Sequence, residues 1–172
     1  MSDYYYSKGY RDFSDLSGKT ITRVEGLEAG SDEVRFYCTD GSEYLMYHEQ
    51  DCCESVSVYD VCGDASDLEG GLVVEAREET NYNGPSDVNP DYDESFTWTF
   101  YHIQTTKGHV VIRWLGESNG YYSESVDFKL DVEHINLHAL KFVKDSISEF
   151  KGNIVLNATG NSIDDFAGSL HV

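Results

Sequence analysis

The chain has 172 residues and a formal net charge of −20, and it contains no apolar run near the roughly 18 residues that span a bilayer. The N-terminus lacks the charged and apolar regions of a secretory signal, and the length suits one domain with its own core. These features predict a single intracellular domain over residues 1–172, not secreted, whose four cysteines are reduced thiols.

The negative charge is concentrated in one segment. From Glu25 to Glu94 there are 20 acidic residues and two basic ones, giving −18, whereas the rest has 12 acidic and 10 basic residues, giving −2. A field of this sign repels nucleic acid and anionic membranes and attracts basic protein surfaces. Direct binding to nucleic acid or to a membrane is therefore disfavoured. The simplest alternative is that the charge only keeps the protein soluble.

Residues 1–15 are predicted to form an aromatic N-terminal arm. Five aromatic side chains fall within Tyr4–Phe13 without a clear period. Termini are usually loose unless contacts hold them, so this density of rings indicates that the arm docks, either on the protein's own surface or on a partner. The β core is predicted over residues 16–132, and its first strand is Thr20–Val24.

The clearest hairpin flanks Asp40-Gly41, a dipeptide typical of tight primed turns. A two-residue turn would pair Tyr37 with Tyr44 and Phe36 with Leu45. Alternation along the first strand then places three side chains on its inner face: Val34, Phe36 and Cys38.

The stretch Ser95–Leu130 is predicted to organise the fold as a three-stranded meander. Its strands are expected at Phe96–Ile103, Val110–Leu115 and Tyr121–Leu130. A turn at Lys107-Gly108 would set Ile103 opposite Ile112 and Tyr101 opposite Trp114. Two shorter strands are expected before the meander, at Ser55–Tyr59 and Leu72–Ala76.

After the meander the apolar period changes to that of a helix. Leu140, Val143, Ile147 and Phe150 recur at helical spacing, so residues 133–172 are predicted to be a helix-containing extension. The expected fold class is mainly β (α+β): an antiparallel sheet built on a central meander, with one C-terminal helix packed against it.

The densest group of ligand-type residues lies between His48 and Glu54. Zinc binds four nitrogen or sulfur donors in a tetrahedron, and His48 with Cys52 or Cys53 would supply part of that set, together with Cys38 and Cys62. The spacing is not that of a zinc knuckle, and neighbouring cysteines in an extended chain point to opposite faces. The competing interpretation is a tight turn in which one cysteine packs as a small apolar group. No cofactor is predicted.

A second candidate site is a pocket lined by Trp98, His102, Arg113, Tyr122 and Glu124. His102 opposite Arg113 would form a small polar group, and Glu124 on an apolar face would have a raised pKa or pair with Arg113. The alternative interpretation places Glu124 at the solvent-exposed end of its strand. The sequence brings no nucleophile and base together, so an enzyme is not the favoured class and no catalytic residue is assigned.

The sequence resembles an uncharacterised family of domains encoded in phage and bacterial genomes. Three segments carry the resemblance: His48–Glu54, Thr97–Tyr101 and Ser118–Glu124. The resemblance covers roughly residues 16–128. It implies a phage or phage-derived origin, but it brings no function and no catalytic residue that carries over to this chain.

The favoured function is that of a non-enzymatic acidic binding protein. It would engage a basic surface of a host nucleic-acid-handling or defence protein, because exposed carboxylates imitate the charge of a nucleic-acid backbone. The expected contacts are Asp60, Asp64, Asp67, Glu69, Asp87, Asp91, Asp93 and Glu94.

One alternative is a virion or assembly protein whose N- and C-terminal segments bind neighbouring subunits, which allows a homo-oligomer. The other is a small-ligand or metal-binding domain that uses the region His48–Cys53 or the pocket.

Overall fold

The computed structural model describes residues 9–82 and 95–131. The chain divides into two units, residues 1–136 and 137–172, and all the described residues belong to the first. Eight strands account for about half of these residues. They are β1 (Ile21–Glu25), β2 (Glu33–Cys38), β3 (Glu43–Tyr47), β4 (Glu54–Cys62), β5 (Val73–Asn81), β6 (Ser95–Thr105), β7 (His109–Ser118) and β8 (Asp127–Leu130).

The strands form two four-stranded sheets in which the neighbours run antiparallel. The first sheet has the order β1-β2-β3-β8, and the second has the order β4-β7-β6-β5. The prediction of a mainly β, antiparallel fold is confirmed. The prediction of one sheet built on a three-stranded meander is wrong. The meander placed its third strand beside β7, whereas the strand that pairs with β7 there is β4.

Phe13 lies in the apolar core between the two sheets. It belongs to a 3₁₀ turn, Phe13–Leu16, and its ring centre is 4.7 Å from that of Tyr101 on β6 and 5.2 Å from that of Phe128 on β8. Both pairs are edge-to-face, a geometry that contributes about 0.5–1.5 kcal/mol beyond the buried area. Phe13 was predicted to be part of the N-terminal arm. From residue 9 onward that segment contacts the body, whereas residues 1–8 lie outside the described residues.

Residues 17–19 join the two sheets along one side. The Gly18 N–H donates to the Val73 carbonyl and the Val73 N–H donates to the Lys19 carbonyl, each at 2.8 Å. The Ala76 N–H donates to Ser17 Oγ at 3.0 Å. These bonds occupy the first part of the outer edge of β5.

The β2–β3 hairpin forms at the predicted place, but its register differs by one residue. Phe36 lies opposite Tyr44, and Tyr37 lies opposite Glu43. The predicted turn requires a positive φ at both central residues, whereas of the two only Gly41 adopts one, at 81°. A longer turn results. Three side chains of β2 are buried on the inner face, Val34, Phe36 and Cys38.

The β6–β7 hairpin also forms, with a register shifted by two residues. Ile103 lies opposite Val110, and Tyr101 lies opposite Ile112. The turn closes earlier than predicted because Thr105 Oγ1 accepts the N–H groups of the second and third residues after it, at 3.0 and 3.1 Å. A shift of two leaves every side chain on its predicted face, since the side-chain period of a strand is two.

The predicted third strand, Tyr121–Leu130, is wrong in its extent and in its partner. Only Asp127–Leu130 is a strand, and it pairs with β3 of the first sheet. The chain crosses between the sheets in the preceding residues. This crossing segment, residues 121–126, passes over Gly116, where a Cβ atom would lie 2.4 Å from the carbonyl oxygen of Glu124.

Helix is scarce in the part of the chain that the structure describes. Helix α1 (Ala65–Leu68) is one turn, closed by a capping box in which the side chains of Asp64 and Asp67 accept backbone N–H groups. The predicted C-terminal helix falls within residues 133–172, outside the described residues. None of the described helices is long and apolar enough to cross a membrane.

We expect Lys19→Met to raise the pKa of Asp40 in the β2–β3 turn. The Asp40 carboxylate accepts from Lys19 Nζ at 2.6 Å and from the Ser42 N–H at 3.0 Å, and bonds to Lys19 and Ser42 lower its pKa to about 2. The unfolded value is about 3.9. These bonds therefore stabilise the fold above that pH, and the stabilisation is lost as the pH falls through about 2.

NMR titration of the carboxyl carbons measures this change. Lys129→Met is the control, since Lys129 lies over the Tyr47 ring, 4.4 Å from its centre, and should leave Asp40 unaltered. A wild-type Asp40 that titrates near its ordinary value would contradict the prediction.

Candidate functional site

The predicted partner contacts Asp60, Asp64 and Asp67 are engaged in bonds within the protein. Asp60 forms a two-bond ion pair with Arg113, its cross-strand neighbour on β7. Asp64 accepts the N–H of Ser66 at 2.8 Å, and Asp67 accepts the N–H of Asp64 at 3.2 Å. These three carboxylates thus have internal partners, and for Asp60 that partner carries the opposite charge.

Glu69 is also engaged internally, because its Oε1 accepts the Val24 N–H at 3.0 Å. The remaining four predicted contacts, Asp87, Asp91, Asp93 and Glu94, lie outside the described residues. The predicted contact set therefore stays a prediction, since half of it lies outside the described residues.

The predicted pocket residues separate into two groups. Trp98, His102 and Arg113 lie on the outer face of the second sheet, away from the core. Trp98 is fully buried there, with its ring centre 4.8 Å from that of Tyr59. Burial lowers the pKa of His102, and its buried Nδ1 has no hydrogen-bond partner among the described residues. Tyr122 and Glu124 lie elsewhere, in the crossing segment.

The predicted zinc ligands do not form a metal site within the described residues. His48 Nδ1 lies 2.7 Å from the carbonyl oxygen of Ser125, and its Nε2 lies 3.7 Å from Glu54. Cys52 and Cys53 are exposed free thiols. Over residues 9–82 and 95–131, no three His, Cys, Asp or Glu side chains lie close enough to hold a metal ion.

A polar cavity of about 300 Å³ lies where β5 and β6 extend past the apolar core. Its walls come from the inner faces of these strands and from the crossing segment. The described lining consists of two glutamates, two tyrosines, six serines and threonines, and one valine. Ligand pockets are usually lined mainly by apolar groups. Hydroxyls and carboxylates predominate here instead, and none of these lining side chains is basic.

Glu124 is fixed in the wall by two hydroxyl donors. Thr97 Oγ1 donates to Glu124 Oε2 at 2.6 Å, and Ser118 Oγ donates to Oε1 at 2.7 Å. Ser118 is fully buried and Glu124 is half-buried. Because both carboxylate oxygens hold a donor from the second sheet, these bonds anchor the crossing segment in place of strand pairing.

Glu78 supplies the second carboxylate, from β5. It lies opposite Tyr101 on β6, and the two side chains are hydrogen-bonded. Partial burial raises the pKa of Glu78, whereas the Tyr101 hydrogen bond acts in the opposite direction. Burial and the nearby Glu78 carboxylate raise the pKa of Tyr101 well above its ordinary value, so the phenol remains a donor.

The cavity suits an ammonium or guanidinium group. Carboxylates form charge-assisted hydrogen bonds with such groups, and hydroxyl oxygens accept further N–H donors. A divalent cation is less well matched, because calcium takes 6–8 oxygen ligands and only two of the described lining residues are carboxylates.

Sequence reasoning singled out Tyr122 and Glu124 but missed Glu78. The predicted strand ended at Ala76, whereas β5 continues to Asn81 through its pairing with β6. Alternation from Ala76 places Glu78 and Thr80 on the inner face, and this was the available signal.

A family model, described as a domain of unknown function (DUF7448), matches residues 14–128. The chain belongs to the DUF7448 family. The match confirms the resemblance to an uncharacterised domain family, and it assigns no activity. It spans the described strands from β1 into β8, so the DUF7448 domain contains both sheets and both cavity carboxylates. No curated protein and no solved structure shows significant similarity to the chain.

We expect Gly116→Ala to destabilise the DUF7448 domain by about 1–3 kcal/mol, the usual cost of forcing extra atoms into a packed site. The new Cβ atom would lie 2.4 Å from the Glu124 carbonyl oxygen. Denaturant unfolding gives the free energy, and amide shifts of Thr97 and Ser123 should report movement of the crossing segment. Gly41→Ala is the control, since its Cβ meets no atom within 4 Å and only its φ of 81° is unfavourable. Unchanged shifts in the Gly116 variant would contradict the prediction.

We expect Cys52→Ala to lower the pKa of Tyr122 from about 12 towards the ordinary value of about 10. The Tyr122 hydroxyl lies 3.2 Å from Cys52 Sγ, and this hydrogen bond is the largest cause of the raised pKa. NMR of labelled tyrosine ring carbons resolves the titration. Cys62→Ala removes an exposed thiol elsewhere and should leave the value unaltered. Equal pKa values with and without Cys52 would show that the contact does not form.

Proposed function

We propose that this protein is a non-enzymatic binding protein that engages a basic surface of a protein partner, and that the polar cavity receives a lysine or arginine side chain of that partner. The observation that carries the proposal is the composition of the cavity. Glu78 and Glu124 project into a space lined otherwise by hydroxyls and one valine among the described residues.

The two cavity carboxylates are held in fixed positions before a partner binds. Thr97 and Ser118 fix the Glu124 carboxylate, and Tyr101 bonds to Glu78. Fixed side chains lose little conformational entropy on binding, which leaves more of the interaction free energy for affinity. A cation that replaces water here pairs with carboxylates already oriented.

The charge of the whole chain favours the same class of partner. A net charge of −20 attracts basic surfaces over a distance set by the ionic strength and accelerates encounter with them. Proteins that handle nucleic acid carry clustered lysines and arginines. A host nucleic-acid-handling or defence protein is therefore the partner class, with carboxylates in the positions that phosphates would take.

Titration with N-acetyl-arginine amide tests the cavity directly. We expect saturable amide shifts at Thr97, Thr99 and Ser123. The double variant Glu78→Gln with Glu124→Gln should bind at least about tenfold more weakly, equivalent to about 1.4 kcal/mol. Glutamine preserves the shape of each side chain and removes only the charge.

The matched control is Glu28→Gln with Asp32→Asn, which removes the same charge from two exposed residues outside the cavity lining. N-acetyl-citrulline amide, a neutral analogue of similar shape, should not bind. Equal binding of citrulline, or an equal loss in the control variant, would contradict recognition of a cation by the cavity.

A further inference from the structure

The adjacent residues Cys52 and Cys53 present their thiols together on the surface. Their Sγ atoms lie 2.9 Å apart, and both residues are exposed and unoxidised. The sequence predicted opposite directions for them, as in an extended chain. That prediction is wrong, because the chain bends at both residues before β4 begins at Glu54.

Hydrogen bonds to buried groups hold this bend. The Glu54 carboxylate, whose side chain is 2% exposed, accepts the N–H groups of Asp51 and Cys53. The Gln50 side chain bonds both the N–H and the carbonyl of Val56, at 3.3 and 2.7 Å. These bonds fix a backbone conformation in which the two sulfur atoms can lie side by side.

We propose that Cys52 and Cys53 form a two-electron redox site that closes to a disulfide between neighbouring residues when a low-molecular-weight disulfide is present. One thiolate of the pair attacks the small disulfide and expels a thiolate, which leaves a mixed disulfide on the protein. The second cysteine thiolate then attacks the protein-bound sulfur and expels the other small thiolate. The protein loses two electrons and two protons, and the small disulfide is reduced to two thiols.

The geometry favours a reversible link over a structural one. Cα atoms of neighbouring residues are about 3.8 Å apart across a trans peptide, below the usual span of a disulfide of about 4.4–6.8 Å. The ring that forms is therefore strained, and strained, exposed disulfides are the readily reduced ones. The pair suits a site that responds to the redox state of its surroundings.

Oxidation of the two cysteines also alters a hydrogen bond of Tyr122, which is one of the residues that line the cavity. Its hydroxyl contacts Cys52 Sγ at 3.2 Å, and the same residue lines the cavity. A disulfide removes the thiol proton, so Cys52 Sγ can then only accept a hydrogen bond from the Tyr122 hydroxyl. The redox site itself stands independently of the proposed function, since its test measures sulfur chemistry alone.

The test uses the full chain with Cys62→Ser, which removes the third exposed thiol. Incubation with excess glutathione disulfide should lower the mass by two hydrogens, about 2 Da. Alkylation of the unfolded product should then label one cysteine instead of three, because only Cys38 remains reduced. Peptide mapping should place the link within Cys52-Cys53, and dithiothreitol should restore both thiols.

The variants Cys52→Ser and Cys53→Ser, each made in the Cys62→Ser chain, provide the matched comparison. Each retains one thiol of the pair and should stop at a stable glutathione adduct, because no second thiol resolves it. The proposal is overturned if the Cys62→Ser chain also stops at that adduct, if it links Cys38 or a second chain instead, or if it remains fully reduced.

Discussion

The space left at Gly116 by its missing side chain determines how the chain leaves the second sheet. The backbone at Glu124 passes so close to Gly116 that any side chain there would collide with it. This passage sets the Glu124 carboxylate against Thr97 and Ser118 and carries the chain across to β3. The route of the crossing segment, and with it the part of the cavity wall that Glu124 forms, therefore depends on the close approach of a peptide carbonyl to a glycine.

The parts of the fold that could be predicted from the sequence are those encoded locally. Both hairpins follow from strand alternation on either side of a turn dipeptide, and both are present. Their registers were missed because bonds between side chains and backbone, such as those to Thr105 Oγ1, select the turn. The pairing of β4 with β7 joins Asp60 to Arg113, and residues so far apart leave no local signal.

The candidate site was predicted in part for the same reason. Tyr122 and Glu124 drew attention because they stand in an alternating, aromatic stretch, whereas Glu78 joins them only after β5 pairs along its full length with β6. The count of acidic residues located the acidic segment of the sequence, but it could not show which of these carboxylates lie on the same surface of the protein. Asp60 illustrates the limit, since its neutralising partner Arg113 lies 53 residues away in sequence and becomes a neighbour only through sheet formation.

The outer edge of β5 has a consequence for how copies of this chain meet. Residues 17–19 cover its first part, but no described strand lies beside the edge from Arg77 to Asn81. Exposed edges of this kind template unwanted β pairing between molecules. Three consecutive charged side chains, Arg77, Glu78 and Glu79, occupy this stretch. Charged side chains on an edge strand disfavour such pairing, so a second copy that aligned here would have to accommodate one positive and two negative charges at the new pair of strands.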